Sequence, residues 1–248
     1  MDWDSLGAHR YIDAIHTVPG WIDQLDALLF VWIHESQQRA GIVGDILEIG
    51  VSSGRSAILL GYFRQPGERF VACDLFVGDT SRAFRHNYLR FHPSLPDIRV
   101  GPSRQLIDER VDAFRFIHVD GSHTFDDVRN DIEIASRLAE PGGVVVFDDI
   151  RAREYPGVAA AVWRAVATHA LVPVALSNKL YCTVATRPDY LDHFAEIIRD
   201  DRSLLETTSH VIEGYEVLSV SARLSSRRRA IYDLAPPALL RIAKRLRR

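Results

Sequence analysis

The chain has 248 residues, 47% hydrophobic and 25% charged, enough apolar material for one large soluble α/β core. A net charge of −3 argues against a chain built mainly to coat nucleic acid, and no apolar run reaches membrane-spanning length. The opening MDWDSLGAHR lacks the basic region and apolar core of a secretion signal, so the expected address is the cytoplasm.

Residues 1–40 read as helical. Gly20 precedes WIDQLDALLFVWI, where Trp21, Leu25, Leu28, Leu29 and Trp32 form an apolar stripe. This segment is expected to pack on the domain that follows, as a lid or a dimer surface, and a homo-oligomer is expected.

The core is expected over residues 41–187. ILEIGVSSGRSAILLGYF reads as a strand over 46–49, a glycine turn over 50–54 and a helix from about Ser56. Gly50 and Gly54 let the backbone approach a ligand closely, and a helix start supplies free N–H donors. No Lys-Ser/Thr follows the second glycine, so the turn is not a P-loop. Ser52 also stands where a dinucleotide fingerprint has its second glycine. RFVACDLF is a second strand ending in Asp74, at the spacing where a carboxylate accepts hydrogen bonds from a ribose diol. Cys73 and Cys182 sit in strand-like runs without metal-binding spacing and read as buried thiols. The basic, aromatic stretch 82–91 reads as a helix with a solvated face. IRVGPSRQL reads as a short third strand with Ser103 near its end.

The most informative stretch is 116–150. FIHVDGSH and PGGVVVFDDI are apolar runs of the kind buried on both faces of a parallel sheet, and apolar spacing at Val128, Ile132, Ala135 and Leu138 puts a helix between them. A parallel strand–helix–strand unit brings both strand ends to one edge of the sheet, where α/β proteins bind ligands. Asp120, Asp148 and Asp149 are therefore expected to meet there as a hard-metal site, with His123 beside them as a base. His118 reads as a satisfied core histidine. Asp126, Asp127 and Asp131 read as helix-start charges and a solvated face.

REYPGVAAAVWRAV then reads as a helix, with residues 155–157 turning the chain away from the metal edge. LVPVALS and LYCTVATR form a hairpin joined at Asn178-Lys179. Over 188–222 a helix at 189–206 is followed by a second hairpin turning at Glu213-Gly214, expected to cover the site or make a subunit contact. The tail, 223–248, is basic; Leu239, Ile242, Ala243 and Leu246 fall at helical spacing among arginines and lysines. It reads as a docked terminal helix, with weak attachment to an anionic membrane surface as the sharper expectation.

Taken in order and spacing, ILEIGVSSGRSA, VACDLF, FIHVDGSHTFDDV and PGGVVVFDDI resemble the class I S-adenosylmethionine-dependent methyltransferases. The closer similarity is to metal-dependent O-methyltransferases acting on sugars of natural products, of the macrocin and mycinamicin type. Cephalosporin-hydroxylase-like proteins and catechol O-methyltransferase are more distant. The resemblance implies a Rossmann-like sheet, mostly parallel with an antiparallel last strand and helices on both faces. It implies Glu48, Gly50, Gly54 and Ser56 around the methionine portion of the cofactor, Asp74 on its ribose, Ser103 near its adenine and Asp120 alongside. It also implies Asp120, Asp148 and Asp149 as Mg2+ ligands. Where several sugar enzymes carry an acidic base, this chain has Ser122, and His123 is the nearest titratable substitute. The expected acceptor is a hydroxyl of a small molecule, a sugar or glycosylated metabolite first and a catechol or other vicinal diol second. A nicotinamide-dependent oxidoreductase and a non-catalytic S-adenosylmethionine-binding module are the rival readings.

Overall fold

The computed structural model describes residues 3–201 and 205–223. The chain enters through helix α1 (Trp3–Ala14) and a short 3-10 turn, then α2 (Gln24–Arg39). The α/β core follows as β1 (Asp45–Ile49), α3 (Arg55–Gly61), β2 (Phe70–Asp74), α4 (Thr80–Tyr88), β3 (Asp97–Val100), β4 (Phe114–Val119), α5 (Phe125–Leu138), β5 (Ala139–Phe147), α6 (Pro156–Ala167), β6 (Val172–Leu176) and β7 (Leu180–Thr183). Helix α7 (Tyr190–Asp200) and the hairpin β8 (Leu205–Ile212) and β9 (Tyr215–Ala222) complete the described residues.

The strands form one sheet in the order β3-β2-β1-β4-β5-β7-β6-β9-β8. The first five are parallel, β7 runs antiparallel between β5 and β6, and β9 pairs parallel to β6. The expected sheet is therefore present. Strand alternation explains how both of its faces are filled. Ile46, Phe116, Val144 and Val146 pack with α2, α3 and α7 on one side. Leu47, Ile117, Val145 and Phe147 pack with α5 and α6 on the other. Each such side chain contributes roughly 1.5–3 kcal/mol by leaving water.

Of the stripe read from the sequence around helix α2, only Leu29 is fully buried. Trp21 precedes the helix and is 84% exposed, while Leu25, Leu28 and Trp32 are half-buried. The face against the sheet is Leu29, Phe30 and Ile33 together with the polar Asp26, His34 and Gln37. Apolar periodicity misses a stripe of this kind because its polar members are satisfied by specific partners: Gln37 Nε2 donates to the Arg115 carbonyl at 2.7 Å, and its Oε1 accepts from the buried Arg115 guanidinium at 2.8 Å. The second hairpin turns at Glu213-Gly214 as expected. It starts earlier, at Leu205, so α7 is shorter than the 189–206 segment. It extends the sheet beyond β6, with β5, β7 and β6 between it and β4, so it does not cover the strand ends of β1 and β4. Cys73 and Cys182 are buried free thiols. Among the described residues no helix is long and apolar enough to cross a membrane, and the basic stretch 224–248 with its membrane expectation lies outside them.

Candidate active site

The parallel strands β1, β4 and β5 end on one edge, and the residues that follow them form a cleft. It is lined by residues 51–56, by residues 19–22 ahead of α2, and by His118, Asp120 and Asp148. Gly50 explains why this edge is so close-packed. Its φ is +87°, and a Cβ built on it would lie 1.8 Å from the Asp120 carbonyl oxygen, so only glycine lets the end of β1 cross the end of β4. Ser52 takes a left-handed φ of 49°, supplying the backbone turn that a glycine gives elsewhere. The Asp74 carboxylate braces this turn: Val51 N and Ser52 N donate to its Oδ2 at 2.7 and 2.8 Å, and Phe76 N to its Oδ1 at 2.5 Å. Arg55 ties on the segment ahead of α2, its Nε donating to the Val18 carbonyl at 2.6 Å.

At the strand ends, alternation sorts the carboxylates. In register, Glu48 lies beside His118 and His118 beside Val146, so Glu48, His118, Asp120 and Asp148 share the sheet face that looks toward α2. Asp149, the next residue, has a left-handed φ of 56° and turns the other way, to His123, whose Nε2 lies 3.0 Å from its Oδ2. The three aspartates therefore do not converge on one point. They form two overlapping donor sets that share Asp120: His118–Asp120–Asp148 inside, and Asp120–His123–Asp149 at the rim, the potential ligand atoms of each within 4.8 Å of one another.

The two sets differ in electrostatics. Asp148 is ion-paired with the ammonium of the buried Lys179. Burial opposes ionisation of Asp148, yet Lys179 beside it holds its carboxyl below the usual range. The lysine is in turn held above its ordinary value by Asp148, Asp120 and Asp26, against the effect of burial. Asp120 and Asp149 are pushed up, first by burial and then by Asp148. A bound cation would relieve that repulsion. His118 gives Nδ1 to Glu48 at 2.8 Å; burial, then Lys179, lowers its pKa to about 3. Its Nε2 is buried without a hydrogen-bond partner among the described residues, 3.9 Å from Asp148 Oδ2. It is thus only half satisfied, unlike the core histidine expected from the sequence.

The stretch that builds this edge matches a family model described as a methyltransferase domain, over residues 47–150. Among solved structures, the O-methyltransferase NovP aligns with 18% identity over 64% of this chain and 79% of its own, with a TM-score of 0.51. A protein of Corynebacterium glutamicum aligns with 14% identity over 76% of this chain and 93% of its own, with a TM-score of 0.50. The TDP-rhamnose 3′-O-methyltransferase of calicheamicin biosynthesis aligns with 17% identity over 72% and 93%, with a TM-score of 0.48. A comparison with curated proteins finds no match.

Within the matched stretch the remaining expected residues separate. Gly54, at φ 92°, and Ser56 line the cleft. Glu48 is fully buried behind it and meets two of its lining residues, His118 at 2.8 Å and Ser56. Ser103 stands outside the cleft and donates to Asp131. Asp131 itself is buried, with its carboxyl raised to about 6 by burial, not solvated as its helix position suggested. Asp127 does serve the start of α5, accepting from Ser122 Oγ at 2.6 Å and Thr124 Oγ1 at 2.8 Å.

Three side chains at the site escape a reading of the sequence. Tyr155, expected only as part of a turn, stacks its ring on His123 with the centroids 3.9 Å apart. Lys179 marks only a turn in the sequence. Asp26, on α2, accepts from Tyr181 Oη at 2.7 Å and from Ser177 Oγ, the residue pair that frames Lys179. The one available signal was the antiparallel register: with Phe147 opposite Leu180, the next residues along, Asp148 and Lys179, also face each other.

Proposed function

We propose that the chain transfers the methyl group of S-adenosylmethionine to a hydroxyl of a small molecule, a sugar or glycosylated metabolite, with a divalent cation beside the donor. The observation that carries this reading is the cleft lined by the glycine turn 51–56 and by Asp120 and Asp148. It sets a nucleotide-type turn, braced by Asp74, against a cluster of acidic groups. The sugar acceptor rests on the resemblance of the four sequence segments to sugar O-methyltransferases.

Bound S-adenosylmethionine supplies an activated methyl group, so the protein has to place the acceptor oxygen in line and make it nucleophilic. Lowering a sugar hydroxyl's effective pKa by about five units is worth roughly 7 kcal/mol. A general base alone typically contributes about 10²–10⁴-fold, so a second source of stabilisation is needed. A divalent cation would supply it as a Lewis acid. The rim set fits such an ion: two carboxylates with raised pKa values and an imidazole steadied by the Tyr155 ring. Asp120, His123 and Asp149 would hold it. An imidazole among the donors admits Mn2+ and similar ions as well as Mg2+. We assign His123 to this set in place of the base role, because its Nε2 is directed at Asp149. The His123 and Asp149 side chains are 34% and 33% exposed, which gives the acceptor's proton a route to solvent. Residues 19–22, which follow the Val18 carbonyl held by Arg55, line the same cleft as the glycine turn.

The test is titration calorimetry with S-adenosylhomocysteine, then mass spectrometry of sugar nucleotides and catechols incubated with S-adenosylmethionine and Mn2+ or Mg2+. Binding of S-adenosylhomocysteine and a methylated sugar that disappears on chelation are expected. No binding of S-adenosylhomocysteine would overturn the methyltransferase reading, and turnover that survives exhaustive chelation would remove the metal.

A further inference from the structure

The sheet ends differently on its two sides. Strand β3 has only four residues, and its Asp97 and Arg99 are ion-paired, which blunts that edge against further pairing. Strand β8 has eight residues, none of them lysine, arginine or proline, and pairs with β9 residue for residue without a bulge. Residues 207–211 are exposed, Val211 by 78%. A long, regular edge without lysine, proline or bulge is one that accepts another strand. The hairpin turn fixes which backbone groups it offers. Glu213 and Gly214 both have positive φ, 50° and 83°, as in a two-residue type I′ turn, so Ile212 and Tyr215 close it as a hydrogen-bonded pair. Bonding alternates along an antiparallel ladder. Ile212, His210 and Thr208 therefore bond to β9, while Val211, Ser209 and Thr207 turn their N–H and C=O groups outward, where among the described residues no strand meets them.

We propose that β8 pairs antiparallel with β8 of a second copy of this chain, about a two-fold axis at Thr208, joining two sheets into one. A symmetric pairing has to bring outward backbone groups opposite outward backbone groups, and the side chains choose among the registers that do so. Centred on Thr208, the pairing sets Thr207 against Ser209, Glu206 against His210 and Leu205 against Val211. Hydroxyl meets hydroxyl, carboxylate meets imidazole and apolar meets apolar, the combinations that stabilise cross-strand neighbours. Centred on Ser209, it would set the Glu206 carboxylate against Ile212; centred on Thr207, it would leave His210 and Val211 beyond the paired stretch. The sequence of β8 is thus complementary to its own reverse in one register, which is what a second copy requires of a partner strand. Strands β5, β7 and β6 separate this edge from β4, so the pairing leaves the cleft at the ends of β1 and β4 open and does not depend on what that cleft binds.

The test is sedimentation of the full chain together with disulfide trapping. The wild type is expected to sediment as a dimer at tens of micromolar. Opposed residues of a non-hydrogen-bonded pair have Cα atoms about 4.5 Å apart, within the span of a disulfide, so Thr208→Cys should oxidise to a covalently linked dimer. The native Cys73 and Cys182 are buried and give no competing link. Thr207→Cys, which faces Ser209 in this register, should stay unlinked, and Thr207→Cys/Ser209→Cys should link. Thr208→Lys places like charges opposite each other at the axis and should raise the dimer dissociation constant by about tenfold or more, with an unchanged circular dichroism spectrum. Because Thr208 is exposed, none of these substitutions disturbs the core. A monomeric wild type, the outcome if residues 224–248 or a different protein covered β8, would overturn the proposal. So would a dimer that Thr208→Lys leaves intact, a Thr208→Cys chain that does not link, or linking of Thr207→Cys as readily as of Thr208→Cys.

Discussion

Gly50→Ala tests the claim that the ends of β1 and β4 are locked together by the absence of a side chain. The added methyl carbon would lie 1.8 Å from the Asp120 carbonyl oxygen and 2.3 Å from its carbonyl carbon. Both are backbone atoms, so relief requires the strand ends to part by more than an ångström. A left-handed φ costs an L-residue about 1–2 kcal/mol, and overpacking of this kind about 1–3 kcal/mol more. With a central value of about 3 kcal/mol, a chain of this size should lose roughly 6–12 °C in Tm. The displaced residue is Asp120, common to both donor sets, so Mn2+ affinity should fall in the variant that remains folded. Scanning calorimetry and Mn2+ titration read the two effects separately. A Tm within about 2 °C of wild type, with unaltered Mn2+ affinity, would refute the close-approach argument.

Asp74→Ala removes the acceptor of two backbone N–H groups at the glycine turn, Val51 and Ser52, and of Phe76 N. Its dissociation constant for S-adenosylhomocysteine should rise by about tenfold or more with Mn2+ affinity retained; calorimetry showing equal affinity would take Asp74 out of the cofactor site. Asp131 makes a prediction in pH. Burial raises its carboxyl from 3.8 to about 6, so between those values the unfolded chain is ionised while the folded one keeps the proton. Stability should therefore fall as pH rises through that window, by roughly 3 kcal/mol at 1.36 kcal/mol per unit. Asp131→Asn should remove that part of the slope, read from urea midpoints at about pH 4 and pH 6.5, and an unchanged slope would show that Asp131 is ionised in the fold.

The sequence by itself determined the strands, the glycine turn and the strand-end acids, because these are written in short-range patterns. Near-continuous apolar runs mark β1, β4 and β5, Gly50 and Gly54 mark a turn with positive φ, and Asp120 and Asp148-Asp149 follow those runs directly. Even the parting of Asp148 from Asp149 was available in principle, since neighbours at a strand end face opposite ways. Only the tertiary structure decided which partner each acid meets. Lys179 reaches Asp148 because β7 inserts antiparallel beside β5 with Phe147 opposite Leu180, a register set by packing between segments far apart in the chain. Asp26 comes to that turn from α2, and Tyr155 returns from the start of α6 to cover His123. Such contacts leave no periodicity, for each depends on one side chain arriving from another element, and they are what divide a single acidic edge into two unequal sites.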